Sequence, residues 1–165
     1  MLITKKLGKL KDDAGKTIDL LCLHWYETNK RILHKQTATG KNISLKFLNE
    51  NPDLSVGDIL YEDETMIIVV DILPATAIVI QPSTMFEMAS LCYEIGNKHL
   101  PLFYENDLLL VPYETPLHKY LQAAGYSIRV EERKLQRPLR TTVTPHGSGS
   151  ETLFSKVMKL TAEKK

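Results

Sequence analysis

The chain has 165 residues, 43% of them hydrophobic, and its 21 basic and 20 acidic residues leave a formal charge of +1. So even a balance gives no general attraction to nucleic acid or to an anionic membrane, and local charge must carry any such claim. No apolar run approaches a bilayer span and residues 1–6 lack a secretory apolar stretch, so a cytoplasmic protein is expected, and the two cysteines, Cys22 and Cys92, fit buried apolar thiols better than a disulfide framework or zinc ribbon.

The first half alternates short apolar runs with turn chemistry, the pattern of a β-rich unit. Strands are expected at 2–7 and 18–25, with Asp12, Asp13, Ala14 and Gly15 turning between them. A hairpin is expected from 31–35 and 42–47 around Thr39 and Gly40, because the second run alternates with a period of two. Strands at 58–61 and 66–72 follow, separated by the polar turn at 62–65.

Pro74 marks a boundary, since proline removes a ladder donor and the pattern changes after it. Residues 75–80 read as a strand, and Thr84 with Glu87 has capping-box spacing for a helix running to about Asn97. A second hairpin, 100–104 with 108–111, turns at Glu105, Asn106 and Asp107. Thr115 is placed to cap a second helix, with Pro116 in its first turn, Leu117, Tyr120, Leu121 and Ala124 as its apolar stripe, and Gly125 at its end. A strand at 126–130 completes the order β-α-β-β-α-β, that of a ferredoxin-like split βαβ unit. The expected class is α+β: a β-rich domain at 1–73, a ferredoxin-like domain at 74–138 and a flexible tail at 139–165, in which 153–160 has the length of a short amphipathic helix.

Among five histidines, His99 follows the first helix and continues the spacing of Met88, Cys92 and Ile95. Position leaves two roles open: a hydrogen-bonded residue at a helix end, which is the commoner, or a transition-metal ligand. His118 falls on the polar face of the second helix and reads as solvated; His24 and His34 lie in strand patterns beside Trp25, Asn29, Lys30, Arg31 and Lys35, a weak nucleic-acid patch or, more simply, a solvated sheet face. His146 lies in a linker-like stretch that would let it reach a metal held elsewhere. The chain has no HExxH, GxSxG or P-loop motif, and its paired carboxylates fit solvated turns better than acid–base sites, so no catalytic residue is assigned.

The stretch Tyr93, Glu94, Ile95, Gly96, Asn97, Lys98, His99, Leu100, Pro101, Leu102 resembles the helix-end GN[RK]H signature of UreE urease accessory proteins. Trp25, the Asn29–Lys30–Arg31 run, Thr39–Gly40 and the segment 54–60 resemble the amino-terminal part of that family, and 117–125 with 133–138 its closing helix and exit segment. The resemblance implies a peptide-binding-like domain joined to a metal-binding domain, and a homodimer, formed through the latter, that delivers nickel for urease assembly. Its implied partners are the urease apoprotein complex and the accessory GTPase UreG, with no nucleic acid and no membrane. His99 is then the principal metal ligand, shared across the dimer, and His146 a secondary one in the tail. Many members end in a histidine-rich tail, whereas here His146 stands by itself, and 111–115 holds none of the histidines that some members carry before the second helix. Neither multi-ion storage nor an auxiliary site at 111–115 is carried over.

A delivery site has to release its ion, which favours few protein ligands, and a two-fold axis lets one histidine per chain offer two imidazoles. Imidazole also suits zinc and copper, so both are expected to bind in vitro. An RNA-binding ferredoxin-like module shares the βαββαβ order, but 75–80 and 100–104 lack the aromatic pattern that stacks bases.

Overall fold

The computed structural model describes residues 1–13, 15–48 and 51–139. The described residues form a mixed α+β structure of three sheets and two helices. No described helix is long and apolar enough to cross a membrane. The stretches expected as tail and short terminal helix lie, from residue 140 onward, outside the described residues, as does His146.

Two of the sheets enclose the first core. The smaller joins β1 (Leu2–Ile3), β5 (Asn42–Lys46) and β4 (Ile32–Gln36); the larger joins β2 (Gly8–Lys9), β6 (Asp58–Glu62), β7 (Met66–Ile72) and β3 (Thr17–Leu23), in those orders. Alternate residues of each strand point inward, so that Leu21, Leu23, Ile43, Leu45, Ile68 and Val70 meet around Phe47. The β4–β5 hairpin forms as expected. The opening segment does not: in place of one strand at 2–7, β1 pairs parallel with β5 and β2 antiparallel with β6, and the charged stretch around Lys5 and Lys6 carries the chain between the sheets. The expected strand 18–25 also ends early. β3 stops at Leu23, and Trp25–Glu27 forms a 3-10 turn because the Glu27 carboxylate accepts the His24 backbone N–H at 2.8 Å. Burial works to raise the Glu27 carboxyl, but hydrogen bonds from Lys35 and His24 outweigh it and hold the group below the usual carboxylate range.

Asp19 is the one charged side chain on the inward row of β3, and it is only 1% exposed. It accepts the Thr39 N–H at 3.1 Å and the Thr39 hydroxyl at 2.6 Å, which ties the tip of the β4–β5 hairpin to the opposite sheet. Burial pushes its carboxyl up, yet these bonds, Thr37 and the Lys41 charge bring it below its ordinary value. In the 62–65 turn, Asp63 accepts the backbone N–H groups of Thr65 and Met66, and its carboxyl is held down to about 2.

The third sheet runs β11 (Ile128–Arg133), β8 (Ala75–Ile80), β10 (Leu108–Pro112), β9 (Phe103–Glu105), antiparallel throughout, with α1 (Met85–Asn97) between β8 and β9 and α2 (Thr115–Ala123) between β10 and β11. This is the expected split βαβ order. Leu91 and Ile95 of α1, with Leu117 and Leu121 of α2, cover Ile78, Ile80, Leu109 and Val111 on one sheet face. The other face, through Ala77, Val79, Phe103 and Leu110, packs on Leu135 and on Trp25 from the first half, the Trp25 and Phe103 rings meeting edge-on at 5.8 Å. Lys134 pairs with Asp71 at 2.6 Å across the same junction.

Details of this half depart from expectation. The expected strand 100–104 shrinks to Phe103–Glu105, as residues 100 and 101 belong to the helix exit. The turn is tighter than three residues: Asn106 and Asp107, at φ +49° and +63°, form the two-residue loop that matches strand twist. Glu114, not Thr115, holds the cap position of α2, and no side chain caps it. Tyr120 and Ala124 face solvent, so the apolar stripe of α2 is Leu117 and Leu121. The last strand is shifted to Ile128–Arg133, and both cysteines are half-buried instead of buried.

Replacing Asp19 with Ala is expected to lower stability by about 2–3 kcal/mol, since it removes the charged acceptor that the Thr39 N–H and hydroxyl bond and unties the hairpin tip from the opposite sheet. A carboxyl with a lowered native pKa contributes fully above its unfolded value of about 3.9 and loses that contribution as pH falls through the native value. Urea denaturation of both proteins should therefore show a gap that is constant above about pH 5 and closes in acid.

Candidate functional site

Helix α1 opens as its sequence foretold, with the Thr84 hydroxyl accepting the Glu87 N–H at 3.1 Å. The Glu87 carboxylate reaches back one residue further than a capping box requires, to the Ser83 N–H at 2.6 Å. The far end carries the chemistry. Lys98 is the cap residue, and His99 beyond it adopts a left-handed conformation at φ +55°. The His99 N–H bonds the Gly96 carbonyl at 2.9 Å and the Leu100 N–H reaches the Ile95 carbonyl at 3.4 Å. Those two bonds, with Leu100 and Ile95 in one apolar cluster, make a Schellman closure.

Glycine is the usual residue at the left-handed position, because a Cβ there costs roughly 1–2 kcal/mol. His99 accepts that strain with its side chain exposed and its ring hydrogen-bonded to none of the described residues. A role in holding the helix end would need the opposite arrangement. The imidazole is also set beyond the negative end of the helix dipole, where a cation is favoured.

His99 borders a depression of about 430 Å³ shared with Cys92, Gly96, Leu100, Pro101, Leu102 and Leu139. Cys92 and Leu139 also line a second one of about 460 Å³ that runs on toward Met85 and Met88. The two form a trough along α1. Burial pushes the Cys92 thiol up, which leaves it a poor thiolate ligand near neutral pH. Beside the trough, Met85, Phe86 and Tyr93 are 83%, 82% and 70% exposed, an apolar helix face open to solvent.

The other histidines lie elsewhere. His34, on β4, bonds the Ser44 hydroxyl at 2.9 Å, and His24 stacks on Tyr26 at 5.2 Å. His118 is half-buried against the Tyr113 ring at 5.6 Å, where the sequence suggested full solvation. Among the described residues no three His, Cys, Asp or Glu side chains gather as a metal cage. Sequence reasoning placed His99 at the helix end but missed both the left-handed backbone and the exposed Phe86–Tyr93 face. A signal for the first was present: Ile95 and Leu100 at Schellman spacing, followed by Pro101.

Two family models match, one described as the UreE urease accessory protein N-terminal domain over residues 3–73, the other as the UreE urease accessory protein C-terminal domain over residues 75–151. The urease accessory protein UreE of Flavobacterium johnsoniae is 42% identical over 163 residues, which cover 97% of this chain and 99% of that protein. Those of Helicobacter pylori and Acetivibrio thermocellus are 38% identical over 153 residues and 37% over 142, covering 88% and 84% of this chain and 89% and 92% of their own. The chain belongs to the UreE family of urease accessory proteins, and its role is in urease maturation and not in catalysis of its own.

Proposed function

We propose that the protein is a nickel metallochaperone: a cytoplasmic homodimer that binds nickel through His99 and delivers it for assembly of the urease active site. The observation that carries this reading is the strained, exposed His99 next to an uncovered apolar helix face. A residue that costs stability where glycine would be better is held for something other than the fold. Family membership supplies the pathway.

One imidazole makes a poor transition-metal site, and two copies meeting through the Phe86–Tyr93 face of α1 would bring two His99 rings toward one axis. Coordination completed by water keeps the ion exchangeable, and His146 is proposed as an auxiliary ligand. In this reading residues 1–73 form a docking domain and 74–138 the metal-binding and dimerising one. The partners are the urease apoprotein complex and the accessory GTPase UreG. Zinc and copper compete at such a site in vitro, as imidazole does not discriminate strongly among these ions.

His99→Ala and His99→Gly should both abolish the principal nickel site seen by calorimetry. Their stabilities should part in the direction the backbone dictates, with the glycine variant melting at or above wild type, by up to about 1 kcal/mol. A helix-end structural role predicts the reverse: both variants destabilised and nickel binding intact. Because protons and nickel compete for the imidazole nitrogen, wild-type affinity should fall as the solution is made acidic.

Phe86→Asp should convert the dimer to monomer in sedimentation, because a charge would be buried in an apolar contact. Nickel affinity should fall with it, although His99 is untouched. Removing residues 141–165 should weaken nickel binding without changing the melting of the remainder; superimposable isotherms would exclude His146 as a ligand.

A further inference from the structure

Strand β4 is an edge of its sheet, bonded on one side to β5 alone. The Arg31 carbonyl accepts the Phe47 N–H at 2.8 Å and the Thr37 N–H reaches the Lys41 carbonyl at 2.9 Å, so the odd-numbered residues carry the ladder. Antiparallel geometry then turns the N–H and C=O groups of Ile32, His34 and Gln36 outward. None of these backbone groups bonds a described residue beyond the hairpin. Their side chains stand exposed, Ile32 at 55%, above a shallow depression of about 400 Å³ lined by residues of β4 and β5, among them His34, Gln36, Asn42 and Ser44. Five residues of edge span about 17 Å, room for a strand of similar length.

The charge around this edge is one-sided. From Thr28 to Leu48 the chain contains Lys30, Arg31, Lys35, Lys41 and Lys46 and not one Asp or Glu, in a protein whose charges as a whole nearly cancel. Lys35 is neutralised by Glu27, but Lys30, Arg31, Lys41 and Lys46 are exposed. Positive charge on an open edge suppresses pairing with a second copy of itself. It also selects the sign of what can pair: an acidic extended segment is attracted where another β4 is repelled.

We infer that the β4 edge, at Ile32, His34 and Gln36, is a docking site for an acidic, extended peptide segment of a partner protein, which adds to the sheet as a further strand. Backbone bonds to the three outward residues supply the pairing, Ile32 an apolar contact, and the surrounding lysines and Arg31 the preference for carboxylates. RNA is the less favoured occupant, since the outer face of the hairpin presents Ile32, His34, Gln36, Asn42, Ser44 and Lys46, with no Phe, Tyr or Trp and only the one imidazole for bases to stack on. This inference rests on the reading of residues 1–73 as a docking domain and not on the proposed nickel site, which lies on another sheet's helix layer.

The test uses the full-length protein and a blocked, fluorescently labelled peptide of alternating glutamate and valine, with a lysine–valine peptide and single-stranded oligouridylate alongside. The glutamate–valine peptide should bind saturably, more weakly as salt rises, and should slow hydrogen exchange at the Ile32, His34 and Gln36 amides. The double variant R31E/K46E should weaken it at least about tenfold, as two attractive charges become repulsive. His34→Pro, which removes one outward N–H and the ring's bond to Ser44 but leaves the backbone ladder to β5 intact, should also weaken it several-fold. Absence of binding, protection at other amides, equal binding of the lysine–valine peptide, or indifference to R31E/K46E would overturn the inference. Binding of oligouridylate in place of the peptide would overturn it too, and should His34→Pro fail to fold, exchange on the wild-type protein and the charge reversal still decide.

Discussion

The second half is organised by a strand that must satisfy neighbours on four sides. Residues Ala77 to Ile80 of β8 are at most 1% exposed, with β10 and β11 bonded to its edges, the helices on one face and Trp25 and Leu135 on the other. A strand covered in this way has no polar face, and its run of alanine, isoleucine and valine is what that burial demands. Everything that follows is placed from it. Ile78 and Ile80 fix where Leu91 and Ile95 of α1 settle, and the opposite side of α1, with Phe86 and Tyr93, is thereby left in solvent. Ala77 and Val79 receive Trp25, so the same strand connects the two halves of the molecule.

The candidate site is a consequence of how α1 stops. Ile95 is buried, Leu100 must rejoin the same cluster, and the chain has to reverse within the residues between. A left-handed residue at position 99 is the economical solution, and the closure through Gly96 and Ile95 fixes it. With a histidine there, the ring is aimed away from the core by the backbone conformation that the core itself requires. Local strain, surface exposure and proximity to an apolar face thus share one cause.

Charge is distributed by the same logic. The first core tolerates Asp19 because the hairpin tip brings Thr39 to it, and Glu27 because Lys35 and the His24 N–H meet it. Both carboxylates are inward and bonded, so neither offsets the exposed Lys30, Arg31, Lys41 and Lys46 on and beside the hairpin.

The element positions that were legible are those set by local periodicity and by cap residues. The alternation at 42–47, the Thr84 and Glu87 pair, and Asn106 with Asp107 each act within a few residues of themselves. His99 was legible too, through the motif around it, though not the reason it matters. What the sequence could not settle were facts that need two distant segments at once: the division of 2–7 between two sheets, the parallel pairing of β3 with β7, the junction of Trp25 with Phe103, and which face of α1 remains bare. An apolar residue carries the same signal whether it meets its own core or waits for another surface, so Phe86 and Leu91 are told apart only once packing has filled one side of the helix and left the other open.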